Sequence, residues 1–227
     1  MANFVLVHGA WGGGQSYDKT KRDLEAAGHN VLVTAVRGIG TRQSELHPGI
    51  TLSDHIADVL WQIEVARFER FILVGHSYGG MVITGVAAKL GARIDAIAYI
   101  DAFLPESGQS LWDITGEFEH KWYIDSQKDN PGMVAPIGGL DFEPVPGLVG
   151  YHPLLTLLEA VRLSGEERKI PRRAYIFATG WQPTPFARFA EQVRDDPEWD
   201  YHEADCDHFV MENRPEITAK VLLGLAA

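Results

Sequence analysis

The sequence predicts an α/β fold in which a mostly parallel central sheet has helices on both of its faces. Short and wholly apolar runs, such as residues 4–7, are typical of strands that are covered on both sides. These runs alternate along the chain with segments in which apolar residues recur at helical spacing. Such alternation is typical of a parallel sheet, whose ligands bind beyond the carboxyl ends of the strands. We therefore expect the functional residues in the loops that follow the strands.

The predicted strands and helices follow one another in a regular order except in one long stretch. Gly28 closes the first helix, Thr51 and Asp54 form a capping-box pattern before the second, and Pro215 opens the last. The predicted strands are residues 4–7, 31–36, 71–74, 94–100, 174–178 and 199–203, and the predicted helices are residues 17–27, a segment that includes 56–63, and residues 81–90, 185–194 and 215–225.

The stretch of about residues 105–171 interrupts this alternation. It is rich in Gly and Pro and shows one helical run, residues 154–163. A long surface loop is one interpretation, but its many large apolar side chains would be costly to leave in water. We interpret the chain as one domain, residues 1–227, with this stretch inserted as a small cap over the active site. The large side chains of the stretch are Trp112, Phe118, Trp122, Tyr123, Met133, Phe142 and Tyr151.

The composition is that of an acidic chain with no run of basic residues. The formal net charge is -11, whereas nucleic acids and anionic membranes attract positively charged surfaces. We therefore expect neither as a partner. Cys206 is the only cysteine, which excludes an internal disulfide, and the sequence shows neither a leader-like segment nor an apolar run long enough to span a bilayer. These features predict a cytoplasmic protein and leave its oligomeric state open.

Ser77 lies in the sequence Gly75-His76-Ser77-Tyr78-Gly79, directly between an apolar strand and a helix. A sharp turn at this place lifts the serine hydroxyl above the edge of the sheet, where a base can reach it. Glycines two residues before and two residues after the serine let the strand and the helix approach closely. Ordinary glycine-rich turns share the bare pattern, but the preceding strand and the small residues of the following helix favour a nucleophile elbow. The pattern predicts Ser77 as a nucleophile.

Several stretches of the sequence resemble the α/β-hydrolases that include plant methylesterases, hydroxynitrile lyases and related bacterial carboxylesterases. The resemblance covers nearly the whole chain and is weakest over residues 112–172. It implies the α/β-hydrolase fold and the chain order serine, acid, histidine, in which His208, after the last strand, is the base. The resembling stretches are residues 4–11, 24–29 and 75–80, and Asp207 and His208 together with Met211.

The resemblance leaves the acid of the triad open between two aspartates. Plant relatives carry the acid just after the strand that matches residues 175–178, but residues 179–183 of this chain contain no carboxylate. Some α/β-hydrolases place the acid after the preceding strand, which here ends at Asp101. We predict that Asp101 orients His208, with Asp205 as the reserve candidate. The structural alternative for Asp101 is a turn aspartate that holds backbone amides.

The resemblance also implies an oxyanion hole formed by the backbone N–H groups of Ala10 and Tyr78. Attack on an ester carbonyl puts negative charge on oxygen, and amide donors already in place stabilise that charge by about 3 kcal/mol each. Large aromatic residues around these positions predict an apolar or aromatic substrate of modest size. The candidate substrate-binding residues are Trp11, Phe103, Trp112, Trp122 and Phe209.

These residues together predict a serine carboxylesterase whose partner is a small-molecule ester and which needs no metal or organic cofactor. Three alternatives stay open. A ligand-binding receptor on the same fold can retain the whole triad, and hydrolases of lactones or of carbon–carbon bonds can use it. A cyanohydrin lyase is disfavoured, because the threonine and the lysine associated with that activity correspond to Gly9 and Phe209 here.

Overall fold

The computed structural model describes residues 1–136 and 150–227. Its strands are β1 (Asn3–Val7), β2 (Asn30–Val33), β3 (Phe71–Ser77), β4 (Ile94–Ala102), β5 (Met133–Val134), β6 (His152–Pro153), β7 (Arg173–Ala178) and β8 (Trp199–Ala204). Its helices are α1 (Asp18–Ala26), α2 (Leu52–Ala66), α3 (Gly79–Leu90), α4 (Leu111–Ile114), α5 (Glu117–Ser126), α6 (Leu155–Leu158), α7 (Ala187–Arg194), α8 (Val210–Asn213) and α9 (Pro215–Leu225). Among the described residues, no helix combines the length and the apolar character that crossing a membrane requires.

Six strands form one sheet in the order β2-β1-β3-β4-β7-β8, and every neighbouring pair in it is parallel. The short strands β5 and β6 form a separate antiparallel pair. Side chains of α2, α3 and α7 pack on one face of the large sheet, and those of α1, α8 and α9 pack on the other. The predicted fold class, a mostly parallel sheet with helices on both faces, is confirmed.

Strand β1 shows why the apolar runs indicated buried strands. Successive side chains of a strand point to opposite faces of the sheet. Phe4 and Leu6 accordingly enter one buried cluster, whereas Val5 and Val7 enter the other. All four side chains are almost completely buried, so an alternation of apolar and polar residues would have left one core incomplete.

The carboxyl ends of the parallel strands meet at one edge of the sheet and bring distant residues together there. Strand β3 ends at Ser77, which pairs in register with Ala102 of β4. Asp101 therefore lies one residue from the level of the serine on the neighbouring strand. Strand β8 ends at the same edge and leads into the loop that carries His208.

The termini of two elements follow from local hydrogen bonds. The predicted capping box at the start of α2 is present, with the Thr51 side chain accepting from the Asp54 N–H and the Asp54 side chain accepting from the Thr51 N–H. Strand β2 ends at Val33, short of the predicted residue 36, because the Ala35 N–H donates to the Gln62 side chain at 3.0 Å. The chain thereby leaves the sheet and turns toward α2.

The long stretch between β4 and β7 contains α4, α5, β5, β6 and α6. The prediction of a helix over residues 154–163 was wrong, since α6 ends at Leu158. The carboxylate of Glu159 accepts hydrogen bonds from the N–H and the hydroxyl of Ser53, and Val161 exchanges backbone hydrogen bonds with residues 108 and 109. These bonds hold the chain out of the helix after residue 158, although apolar residues continue at helical spacing to residue 163. Phe142, predicted as part of the cap, lies outside the described residues.

Candidate active site

Ser77 ends β3 and begins the sharp turn into α3. Its φ of 54° lies in the left-handed region, which residues other than glycine rarely adopt. A Cβ atom on Gly79 would lie 2.7 Å from the carbonyl oxygen of Val7, and one on Gly75 would lie 2.9 Å from the carbonyl oxygen of Gly79. Both positions therefore need glycine for the strand and the helix to approach this closely, and the turn leaves Ser77 at the edge of the sheet.

Asp101 and His208 form a hydrogen-bonded pair at this edge. His208 Nδ1 lies 2.7 Å from Asp101 Oδ2, and the Ala178 N–H donates to the other carboxylate oxygen at 3.2 Å. Because a carboxylate accepts hydrogen bonds, Nδ1 carries the ring proton, and Nε2 of the neutral ring is left to accept one. Asp205, the reserve candidate, is exposed in the preceding loop, and among the described residues it makes no hydrogen bond to this ring.

The His208 ring is enclosed by aromatic side chains. The ring of Phe186 stacks on it with centroids 4.9 Å apart, and the Trp181 ring lies at the same distance. His76 Nε2 donates to the backbone carbonyl oxygen of His208 at 3.0 Å, which fixes the loop. This enclosure restricts both the orientation of the imidazole and its contact with water.

Burial shifts the proton affinities of the pair in opposite directions. It lowers the pKa of His208, while the negative charge of Asp207 acts in the opposite sense. It raises the pKa of the fully buried Asp101 carboxyl, against the effect of the Ala178 N–H. A histidine whose pKa is lowered is neutral at neutral pH, which is the state that a general base needs.

Ala10 and Tyr78 line the same cavity as Ser77. Within the residues that the structure describes, neither N–H donates a hydrogen bond. The turn beyond Ala10 is held by the Gly12 N–H, which donates to the Ala10 carbonyl oxygen at 2.6 Å, and by the Trp11 indole N–H, which donates to the Val134 carbonyl oxygen at 2.9 Å. Both N–H groups are thus without an acceptor in the described part of the chain.

A cavity of about 310 Å³ opens over Ser77 and His208. Four of the five predicted substrate-binding residues line it, namely Trp11, Phe103, Trp122 and Phe209. Trp112 does not. Its ring stacks on His120 with centroids 3.8 Å apart, and His120 Nε2 donates to the Trp112 carbonyl oxygen at 2.7 Å.

The cavity also has lining residues that the sequence analysis missed. Trp181 and Phe186 follow β7, directly where the plant pattern places an acid, and their position after the carboxyl end of a strand was a usable signal. The residues contributed by α4 to α6 carried no such signal, because their place depends on how the inserted stretch folds. The missed residues include Leu111, Glu119, Tyr123, Leu157, Trp181, Phe186 and Asp207. Across residues 1–136 and 150–227, no three His, Cys, Asp or Glu side chains are grouped so that they could hold a metal ion.

Comparison with known proteins places this geometry in a family. Residues 4–221 match the model of the alpha/beta hydrolase family. A carbendazim hydrolyzing esterase from Nocardioides sp. is 37% identical over 99% of this chain and 100% of its own length, and polyneuridine aldehyde esterase from Rauvolfia serpentina is 28% identical over 99% of this chain and 95% of its own length. An extracellular alpha/beta-hydrolase from a Paenibacillus species has the same fold, with a TM-score of 0.81 at 22% identity and 99% of both chains covered.

The sequence predicted both the family and an esterase-type activity, and the comparisons confirm both. The match to the family model spans almost the whole chain, and the two full-length relatives are esterases by name. The chain belongs to the α/β-hydrolase family.

Proposed function

We propose that the protein is a serine carboxylesterase that cleaves small apolar or aromatic esters through an acyl-enzyme on Ser77. The observation that carries this proposal is the hydrogen bond of 2.7 Å between the buried Asp101 and His208, at a cavity that His208 shares with the strained Ser77. A turn aspartate that only held backbone amides would not need to contact the imidazole of the last loop.

The proposed reaction has two halves. Ser77 Oγ attacks the ester carbonyl while His208 Nε2 accepts its proton, and the N–H groups of Ala10 and Tyr78 stabilise the oxyanion. The tetrahedral intermediate collapses, His208 returns the proton to the departing alcohol, and the acyl group stays on Ser77. Water then attacks the acyl-enzyme with His208 again as base, and the carboxylic acid leaves. Asp101 holds the ring and stabilises its charged form.

The walls of the cavity support an apolar or aromatic substrate. Its volume of about 310 Å³ is at the lower end of the range for small-molecule sites, and rings of Trp11, Trp122 and Phe186 line it. We also propose that the insertion of about residues 105–171 acts as a cap that sets substrate choice, because Trp122, Tyr123 and Leu157 of that insertion form part of the wall.

The test is hydrolysis of 4-nitrophenyl esters of increasing acyl length by the native protein and by Ser77→Ala. We expect turnover by the native protein and a loss of about a thousandfold or more in the variant. Ser44→Ala, at an exposed position outside the cavity lining, is the matched control and should retain full activity. A fluorophosphonate probe should label Ser77, as identified by peptide mass spectrometry.

Two outcomes would contradict the proposal. If the Ser77→Ala variant kept its activity, a reaction through an acyl-enzyme on Ser77 would be excluded. Tight binding of esters by a native protein that never turned them over would favour the receptor alternative.

The role of Asp101 is tested with an isosteric pair of variants. Asp101→Asn should lower kcat by about a thousandfold or more, because the amide does not hold the ring in the productive tautomer or stabilise its charge. Asp205→Asn should leave kcat close to that of the native protein. The reverse result would transfer the role to Asp205.

A further inference from the structure

The cavity over Ser77 has an asymmetric charge. Its lining residues include the partly buried Glu119 and the exposed Asp207, and no Lys or Arg is found among its described lining residues. The cavity of an esterase has no need of negative charge for chemistry of its own, because the oxyanion is stabilised by neutral amide donors. The two carboxylates therefore bear on which ligand enters, and Asp207 in addition acts on the pKa of His208.

Neither carboxylate is neutralised by a cation of the protein. Glu119 Oε2 accepts the Gly116 N–H at the start of α5 at 3.0 Å, and Asp207 Oδ1 accepts the Phe209 N–H at 2.9 Å and a side-chain N–H of Asn213. In the part of the chain that the structure describes, neither of them forms an ion pair. Hydrogen bonds from neutral N–H groups leave the net charge in place, so both carboxylates act on a ligand.

Aromatic faces surround the same space. Helix α5 contributes Trp122 and Tyr123 to the cavity lining together with Glu119. The Trp11 ring stacks on Trp122 with centroids 4.5 Å apart, so each of these two rings keeps one face for a ligand. The face of an aromatic ring attracts an organic cation through the quadrupole of the ring, by about 0.5–2 kcal/mol. Aromatic walls combined with unpaired carboxylates are the chemistry that recognises a quaternary or protonated amine.

We propose that the cavity selects its ester by charge, favouring a substrate that carries an organic cation over its neutral isostere and rejecting one that carries an anionic group. This inference rests on the proposed esterase function of the same site and defines its substrate class. The same charges also favour release of the product, because hydrolysis converts a neutral ester group into a carboxylate that Glu119 and Asp207 repel.

A matched set of three acetate esters tests the inference. Acetylcholine carries a quaternary ammonium group, 3,3-dimethylbutyl acetate is its neutral isostere, and 2-acetoxyethanesulfonate carries an anionic group. At low ionic strength we expect kcat/KM to fall in that order, by about tenfold at each step. Added salt should reduce the differences, since mobile ions screen the charges. Equal kcat/KM values, or a higher value for the neutral or the anionic ester than for acetylcholine, would overturn the inference.

The Glu119→Gln variant removes one negative charge from the cavity lining and keeps the size of the side chain. The Gln side chain retains an oxygen that can accept the Gly116 N–H, so the start of α5 is preserved. We expect the ratio of kcat/KM for acetylcholine to that for the neutral isostere to fall about fivefold. Glu117→Gln removes the same charge from an exposed position on the same helix and should leave the ratio unchanged. Equal effects of the two variants would attribute the selectivity to the overall negative charge of the protein.

A binding measurement separates this inference from the proposed function. Phenyltrimethylammonium and its neutral isostere tert-butylbenzene are titrated against the tryptophan fluorescence of the native protein and of Glu119→Gln. Tighter binding of the cation by the native protein, reduced in the variant, supports charge selection even if no ester is hydrolysed. Failure of every ester would contradict only the proposed function, and equal affinities for the two ligands would contradict only the charge selection.

Discussion

At the scale of single residues, His208 interacts with two carboxylates that act on it in different ways. Asp101 contacts Nδ1 and fixes the ring, whereas the charge of Asp207 raises the pKa that burial lowers. Because burial has the larger effect, the His208 ring stays neutral below the ordinary histidine pKa of 6.5. The acidic limb of the pH profile of kcat/KM should therefore lie below that value.

Asp207→Asn tests this balance of charges. The substitution removes the negative charge that raises the pKa of His208 and keeps an oxygen that can accept the Phe209 N–H. We expect the acidic limb of kcat/KM to move to lower pH by roughly half a unit to one unit. Asp205→Asn, in the same loop, should leave the limb in place. A limb that moved to higher pH, or that moved equally in both variants, would contradict the assignment.

Asp101 was predicted as the acid because the segment after β7 contains no carboxylate. The resembling plant enzymes carry their acid after the strand that matches β7, and no carboxylate follows β7 here. The resemblance therefore pointed to the end of β4, the neighbouring strand in the sheet, with Asp205 in reserve. The hydrogen bond of Asp101 to His208 depends on a backbone φ of 41° and on the Ala178 N–H of another strand. The residues next to Asp101 in the sequence indicate neither this φ angle nor the contact with Ala178. The catalytic role of Asp101 remains a prediction.

At the scale of elements, the nucleophile elbow depends on how closely α3 approaches its neighbours. A Cβ atom on Gly80 would overlap the carbonyl oxygen of Phe103 and lie 2.9 Å from its nitrogen, both in the backbone. Gly80→Ala should therefore lower the free energy of unfolding by about 3 kcal/mol, because no side-chain rotation relieves the collision. The measurement is the urea midpoint together with the m-value.

Gly224→Ala is the matched control for this prediction. Gly224 lies in α9, and a Cβ atom there meets no other atom within 4 Å. Alanine should raise the free energy of unfolding by about 0.5–1 kcal/mol, because glycine loses more conformational freedom in a helix. Similar destabilisation by both substitutions would show that close packing at the elbow is not the cause.

The elements that the sequence located well are those whose signals are local. Apolar runs and caps placed β1, β3, β7 and α9 within three residues of their observed ends, because burial on both faces and a Pro at the helix start act within the segment itself. The helix predicted over residues 154–163 failed for the opposite reason. Its last part is held by Ser53 and by residues 108 and 109, which lie far away in the sequence.

At the scale of the whole molecule, the core contains several buried histidines. Tyr78 Oη lies 2.8 Å from His55 Nδ1, and His55 Nε2 donates to the Arg37 carbonyl oxygen at 3.0 Å. Buried nitrogens of His8 and His152 have no hydrogen-bond partner in the described part of the chain. Burial is the largest cause of a lowered pKa for five histidines, His8, His55, His76, His152 and His208.

These histidines should make the fold sensitive to acid. Burial lowers the pKa of His55 from 6.5 to about 4, so the unfolded chain binds more protons than the folded one and stability rises with pH. The contribution of His55 is complete above the unfolded pKa and is lost as the pH falls from about 6.5 toward about 4. From about pH 7 to about pH 5 this single group should lower the free energy of unfolding by about 2 kcal/mol. Urea unfolding across this range should show a weaker pH dependence in His55→Gln and an unchanged one in His47→Gln, an exposed control; the same pH dependence in all three proteins would contradict the burial of neutral His55 as a source of acid sensitivity.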